Sequence, residues 1–303
     1  MDLNTRALLA FFAVAETGST HAAARSLNLS QASVSRRLAR LEEELGVQLF
    51  IRGHHQLRLT KAGARLLPEA QKHMNGLLKA MADARESSSG ETATITMGCL
   101  ATLSLYVLPE VTTAFVAAEP AVRLRILDLS PVEIERSVIS GHADFALTML
   151  GIGAPELTHD VLAREPLVLL CPIDHAMAEF RSVTWAHLDR MRLIGIGPHS
   201  ANQRLLDSAR GSIGIHLEWQ HEVQRITTAV ELVAAGVGLA VLPWAPEVVA
   251  RDDIAVIPLV DPVITRRIGI LRRSGERLSP AAGRLVRQIA VALRKREPRH
   301  LLR

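Results

Sequence analysis

Apolar residues in the first fifty positions recur every three or four residues. Leu8, Leu9, Phe11, Phe12, Val14 and Ala15 predict a helix over residues 3–17 that stops at Gly18. Ser19 fits the N-cap of a short second helix, THAAARSL, because its hydroxyl can accept a first-turn N–H that has no partner within the helix. The break "NLS" follows. Ser30 then caps a third helix from Gln31 to Leu45, and Gly46 suits the left-handed turn that ends it. At 100° per residue, Val34, Leu38, Leu41 and Leu45 share one apolar stripe, while Ala32, Ser35, Arg36 and Ala39 fall opposite, with Gln31 at the helix start. The stretch "VQLFIRGHHQLRLT" has strand-like flanks around a turn at Gly53.

From Thr60, another N-cap, "KAGARLLPEAQKHMNGLLKAMADARESSSG" reads as one long helix closed by a Ser/Gly linker. Leu67, Ala70, Met74, Leu77, Met81 and Ala84 advance by alternating threes and fours, the period of a coiled-coil seam. Pro68 lacks the N–H for its helical bond and predicts a kink. Such a stripe can cover its own protein's core or meet a second copy. The absence of another amphipathic segment nearby in sequence favours a homodimer. Beyond residue 91 the pattern changes. ITMGCL, VRLRILDL, FALTML, PLVLLCP, LIGIG, LAVLP, IAVIPLV and IGILRR are short apolar runs separated by amphipathic stretches. Nearly continuous apolar strands alternating with helices predict parallel sheets covered on both faces, and about ten candidates predict two sheets. The fold class is therefore α/β behind an all-α N-terminal module.

Charge sharpens this picture. Residues 1–90 hold 12 Lys/Arg against 8 Asp/Glu, and residues 91–303 hold 23 of each, so the whole +4 excess sits in the N-terminal module. A local basic bias is the footprint expected of nucleic-acid binding. Small residues beside Gln31, Ser35 and Arg36 let a helix enter a major groove without bulky neighbours holding the backbone off the base edges. Gln can pair with adenine there, and Arg with guanine or phosphate. Arg52, His54, His55 and Arg58 suit a β wing lying along phosphates or the minor groove. The basic C-terminal RKREPRHLLR reads as a solvated tail.

These residues carry a resemblance. "FFAVAETGSTHAAARSLNLSQASVSRRLARLEEELGVQLFIRGHHQLRLTKAG" resembles, without a gap, the winged helix-turn-helix of the LysR-type transcriptional regulators. The resemblance implies that Gln31, Ala32, Ser35 and Arg36 on the recognition helix, and Arg52 and His55 on the wing, meet double-stranded promoter DNA. Ala32 stands where the family often has proline, and His55 where it often has arginine. An imidazole with a reference pKa near ~6.5 makes a pH-dependent phosphate partner. "LPEVTTAFVAAEPAVRLRI", "SGHADFALT" and "VELVAAGVGLAVLP" resemble the family's effector domain, a periplasmic-binding-protein-like (type II) pair of α/β lobes. The expected domains are residues 1–65 for DNA binding, 60–90 for the linker and dimerisation helix, and 91–303 for the effector. Lobe one would take 91–164 and 266–303, and lobe two 165–265. The family further implies a homotetramer built as a dimer of dimers and contact with RNA polymerase.

In open parallel sheets, ligands sit beyond the carboxyl ends of strands. Ala101 and Thr102 follow ITMGCL, Ser130 follows ILDL, Thr148 ends FAL, His199 and Ser200 lie after LIGI, and Thr227 enters the ITTAVELV helix. By the resemblance these positions line the effector pocket, and hydroxyls with backbone N–H donors suit a small carboxylate. Each Ser or Thr alone could equally be a plain helix cap. No P-loop, GxSxG, HExxH or dinucleotide fingerprint is present, which excludes those enzyme classes and gives no cofactor to expect. Twelve histidines, mostly scattered, and two cysteines outside any CxxC spacing give no metal site. The peroxide-sensing relatives place a close cysteine pair in lobe two, where this chain has only Cys171, so Cys99 and Cys171 read as buried thiols. No apolar run reaches a membrane span's ~18 residues and no basic-then-apolar leader opens the chain, so a cytoplasmic location is expected. An exported solute-binding protein, the rival reading, leaves residues 1–65 unexplained.

Overall fold

The structure, a computed structural model, describes residues 4–52, 56–89, 93–151, 154–197, 200, 202–207, 214, 217–245 and 251–296. It divides into two compact units, Met1–Glu91 with Ile139–Gly141, and Thr92–Val138 with His142–Arg303.

The first unit opens with α1 (Thr5–Thr17), whose first turn is closed by Asn4 Oδ1 accepting from Ala7 N at 3.2 Å. Ser19 caps α2 (Thr20–Ser26) through Ala22 N at 3.3 Å, and Ser30 caps α3 (Gln31–Leu45) through Ser33 N at 3.2 Å. Each hydroxyl satisfies an N–H that the helix cannot. Gly46 ends α3 at φ +68°, a conformation that costs an L-residue its Cβ clearance. Strands β1 (Phe50–Arg52) and β2 (Leu57–Leu59) pair antiparallel, Phe50 opposite Leu59. Phe11, Val14, Val34, Leu38, Leu41 and Leu49 form the core.

Helix α4 (Lys61–Ser89) starts on Thr60, whose Oγ1 accepts from Gly63 N at 3.0 Å, and stays helical through Pro68. Its apolar stripe is divided. Leu67, Ala70 and Met74 pack onto the core of the same unit. Leu77, Leu78 and Met81 are about half exposed. The first half of the predicted seam therefore covers its own protein, and only the second half is open to a partner. The side chain of Ala84 lies outside the described residues.

In the second unit β3 (Ala93–Leu100) leads into α5 (Ala101–Tyr106) and α6 (Leu108–Ala118). Then follow β4 (Val122–Leu129), α7 (Pro131–Ile139) and β5 (Phe145–Met149). Strands β4, β3 and β5 are parallel neighbours. The 16-residue β6 (Leu157–Pro172) contributes to three cores: Ala163 belongs to one, Leu167, Leu169 and Cys171 to a second, and Val168 and Leu170, pointing to the opposite face, to a third. Strands β7 (Val183–Thr184), β8 (Arg192–Ile196) and β9 (Glu218–Val223), a helix α8 (202–207), α9 (Ile226–Ala234), β10 (Ala240–Pro243) and β11 (Ile254–Val260) build around the second and third cores. The chain returns along β12 (Thr265–Arg273) and ends in α10 (Pro280–Arg296), whose Leu285, Ile289 and Leu293 close the first core.

The expectation of two parallel sheets needs correction. Strand β12 pairs antiparallel with both β5 and β6, and β6 pairs antiparallel with β10 and β11. An eight-stranded mixed sheet results, with β8 and β9 as a separate parallel pair. The cause is the length of β6 and β12. Strands that travel from one core to another necessarily run against each other, and their ladder joins the two halves. Among the described residues no helix is long and apolar enough to cross a membrane.

Candidate DNA interface and effector cleft

The buried stripe of α3 fixes which side faces outward. Val34, Leu38 and Leu41 are at most 6% exposed, and this leaves Gln31, Ala32, Ser35, Arg36 and Ala39 on the open face. Arg36 makes no ion pair among the described residues, whereas Arg40 on the same face is bonded to Glu44 at 2.9 Å. Gln31 is oriented by a neighbour that the sequence did not single out: its Nε2 donates to Thr20 Oγ1 at 3.2 Å. Among the described residues one amide hydrogen and the carbonyl oxygen of Gln31 have no other hydrogen-bond partner, and these are the pair a bidentate contact with adenine needs. Glu42 does a second positioning job. Its Oε1 accepts from Leu49 N at 2.7 Å and Phe50 N at 3.2 Å, tying the start of β1 to α3. Arg58 is exposed on β2. His54, His55 and the side chain of Arg52 lie outside the described residues.

In the second unit the parallel strands β3, β4 and β5 bring their carboxyl ends to one sheet edge, where Ala101, Thr102, Ser130 and Thr148 stand. Their chemistry differs. Ser130 is in a cap: its N–H donates to Glu133 Oε2 at 2.9 Å, and its Oγ accepts from Glu133 N at 3.4 Å. These bonds hold the Glu133 carboxyl below its usual range. Thr102 and Thr148 are buried, and neither Oγ1 has a hydrogen-bond partner among the described residues. The second parallel pair, β8 and β9, leads to Ser200 and Thr227. Ser200 Oγ donates to Ile196 O and accepts from Gln203 N, both at 3.0 Å, so it too is in a cap. Thr227 is exposed in the first turn of α9, and His199 lies outside the described residues.

Sequence reasoning missed Asn202, the first residue of α8, whose buried Oδ1 also lacks a partner among the described residues. Buried polar atoms are nearly always satisfied, so three orphans, Thr148 in the last residues of β5 and Thr102 and Asn202 after strand ends, mark places where a ligand or water completes the bonding. Also missed was a buried cluster of Tyr106, Glu165 and Arg266, whose members lie too far apart in sequence to show a pattern. The cysteines fit their sequence reading. Cys99 is fully buried, and burial together with the Asp128 carboxylate pushes its thiol far above the usual range. Cys171 is shifted the same way by burial and Asp174. Thiolates at those sites are suppressed, against redox chemistry. Among the described residues no group of three or more His, Cys, Asp or Glu could hold a metal.

Comparison with known proteins agrees with this geometry. The family described as "Bacterial regulatory helix-turn-helix protein, lysR family" matches residues 5–64, and "LysR substrate binding domain" matches residues 88–294. The HTH-type transcriptional regulator YbhD of Escherichia coli strain K12 is 35% identical over 276 residues, covering 91% of this chain and 87% of its own. Among solved structures, a full-length OxyR variant from Pseudomonas aeruginosa superposes with TM-score 0.67 at 23% identity, covering 97% of this chain and 95% of its own. CbnR, solved with its target DNA, gives TM-score 0.65 at 22% identity, covering 96% and 100%. Helix-turn-helix, wing strands, two-lobed α/β unit and family matches converge on one assignment: the chain belongs to the LysR family of DNA-binding transcriptional regulators, with an effector-binding domain behind the DNA-binding module.

Proposed function

We propose that the chain is a cytoplasmic, sequence-specific regulator that binds double-stranded promoter DNA as a homodimer, assembles further into a homotetramer, and acts on RNA polymerase. Gln31, Ala32, Ser35 and Arg36 enter the major groove, and Arg52 with His55 follows the backbone on the wing. The observation that carries this reading is the exposed, small-residue face of α3 with Arg36 making no ion pair among the described residues, set opposite the buried Val34, Leu38 and Leu41. The dimer runs through the linker helix of residues 60–90. It is supported by the exposed Leu77, Leu78 and Met81, which continue a groove of about 410 Å3 lined by Leu8, Leu41, Leu45, Leu66, Ala70 and Met74. CbnR's complex with its target DNA supports the DNA role by analogy. Arg36→Ala, measured by fluorescence anisotropy on the chain's own promoter duplex, should weaken binding by about 1–3 kcal/mol, roughly 5- to 150-fold, and relax the preference at one base pair. No salt-sensitive preference for that duplex over an unrelated one would refute the reading.

The effector is a small carboxylate held between lobe one (91–164 and 266–303) and lobe two (165–265). Thr102 and Thr148 with their orphan hydroxyls are its strongest contacts, joined by Ala101, Ser130, His199, Ser200 and Thr227. It acts by binding one lobe arrangement better than another, since only differential affinity shifts an equilibrium. A thermal-shift screen of aromatic and aliphatic carboxylates tests this. Ligand at a hundred times its Kd should stabilise the effector unit by about 2.7 kcal/mol, and Thr102→Val should abolish the shift. A panel with no shift refutes the carboxylate and leaves the DNA reading standing.

A further inference from the structure

Two strands, β6 and β12, pass between the two lobes, and the layer where they cross is built unlike those on either side. On β6 Ala163 packs in the core of lobe one and Leu167 in that of lobe two. On the return path Ile264 packs against lobe two and Ile268 in lobe one. Between these apolar layers the pairing register sets Arg266 opposite Glu165. Their side chains are 1% and 6% exposed, and Arg266 Nε meets Glu165 Oε2 at 2.5 Å. The other carboxylate oxygen, Oε1, accepts from the hydroxyl of Tyr106, buried at the end of α5.

An apolar pair in this layer would pack comparably well over a range of lobe angles, since apolar contact is non-directional. A buried ion pair instead rewards one geometry, because the cost of desolvating both charges is recovered only where the hydrogen bonds are well made. Here the cluster is incomplete: Arg266 Nη2 finds no acceptor among the described residues. Tyr106 also lies one helical turn beyond Thr102, on the same face of α5. A displacement of α5 at its cleft end therefore reaches Glu165 directly.

We propose that Tyr106, Glu165 and Arg266 are positioning residues that set the angle between the lobes and carry movement of α5 into the two crossover strands. The link to regulation rests on the effector reading of the cleft, while the setting of the angle does not. The test uses the full chain without any ligand. Thr113→Cys on α6 and Arg181→Cys in lobe two are exposed positions for spin labels, and the natural Cys99 and Cys171 are buried beyond labelling. Labelled chain is diluted into unlabelled chain so that only distances within one chain are read by electron–electron resonance.

With the cluster intact, the interlobe distance should form one narrow distribution. Glu165→Leu with Arg266→Met keeps the volume apolar, and should preserve cooperative unfolding while the distribution broadens or splits. Tyr106→Phe, which removes a single hydroxyl, should shift or broaden it less. An unchanged distribution in a folded double variant overturns the proposal. If the double variant does not fold, an unchanged distribution in Tyr106→Phe overturns it. Failure of every carboxylate in the thermal-shift screen would leave these distances unaffected, so the two readings fail separately.

Discussion

Replacing Glu42 by alanine isolates the tie between the recognition helix and the wing. One carboxylate oxygen accepts from two backbone N–H groups, Leu49 N at 2.7 Å and Phe50 N at 3.2 Å, and so ties the start of β1 to α3. A hydrogen bond to a charged group contributes about 1.5–3 kcal/mol when well formed, and less where water competes. Glu42 is half-buried, Leu49 is fully buried, and the longer bond to Phe50 is the weaker. The pair together should therefore contribute about 2–3 kcal/mol. Local opening of the wing governs exchange of the Leu49 and Phe50 amides, so Glu42→Ala should speed their hydrogen exchange by roughly 30- to 150-fold. Glu42→Gln, which keeps one acceptor oxygen and loses the charge, should recover about half of that free energy. Exchange is read by mass spectrometry on a peptide spanning residues 47–52, with the peptide of α1 as internal control. DNA affinity should fall in the same variant, because the wing no longer holds its place beside α3. Exchange in Glu42→Ala within a factor of about three of the parent would refute the reasoning, as it would mean the two N–H groups find water at no cost.

Thr148→Val replaces an orphan buried hydroxyl by a methyl of the same shape, so thermal stability should hold or rise while any cleft ligand found by screening binds at least tenfold more weakly, about 1.4 kcal/mol. Stability lost with binding kept would reverse its role. Gly269→Ala should be among the most damaging single changes in the effector unit. The added Cβ would lie 2.1 Å from Asp160 O and 2.7 Å from Leu150 Cδ1, and backbone in a paired strand cannot yield. A soluble variant with a melting temperature within a few degrees of the parent would contradict that. His55, where the family often has arginine, should make DNA affinity rise as pH falls from about 7.5 to 6, since the protonated ring is the one that attracts phosphate. His55→Arg should flatten the profile, and a parent profile already flat would remove His55 from the interface.

What could be read in the sequence was local. Ser19, Ser30, Thr60, Gly18 and Gly46 mark helix ends because a cap is a relation between residues three or four apart, and a short window contains it. The exposed face of α3 was legible for the same reason, one helix period at a time. The divided role of α4 was not: Met74 and Met81 are equivalent along the heptad, and only the folded position of α1 and α3 decides which one is covered. Ser130 and Ser200 are engaged in caps, whereas the hydroxyls of Thr102 and Thr148 have no hydrogen-bond partner among the described residues, a difference that a hydroxyl's place after a strand does not encode. The pairing of Glu165 with Arg266 spans 101 positions and needs a strand register that no local pattern encodes.

The return of β12 and α10 to the first core also orders events during synthesis. Met149 ends β5, and Arg273 ends the strand that must pair beside it. At about 5–20 residues per second, the intervening stretch takes roughly 6–25 seconds to emerge from the ribosome. Throughout that interval β5 is paired on its β3 side only, and Phe115 and Phe145 lack the cover of Leu285 and Ile289. Lobe two, whose strands and helices lie between the crossings, is complete first. The half-built lobe is therefore the nascent chain's exposure to misassembly and to chaperone capture, and a stop codon or proteolytic cut that removes only the last two dozen residues strips lobe one, not the tail alone.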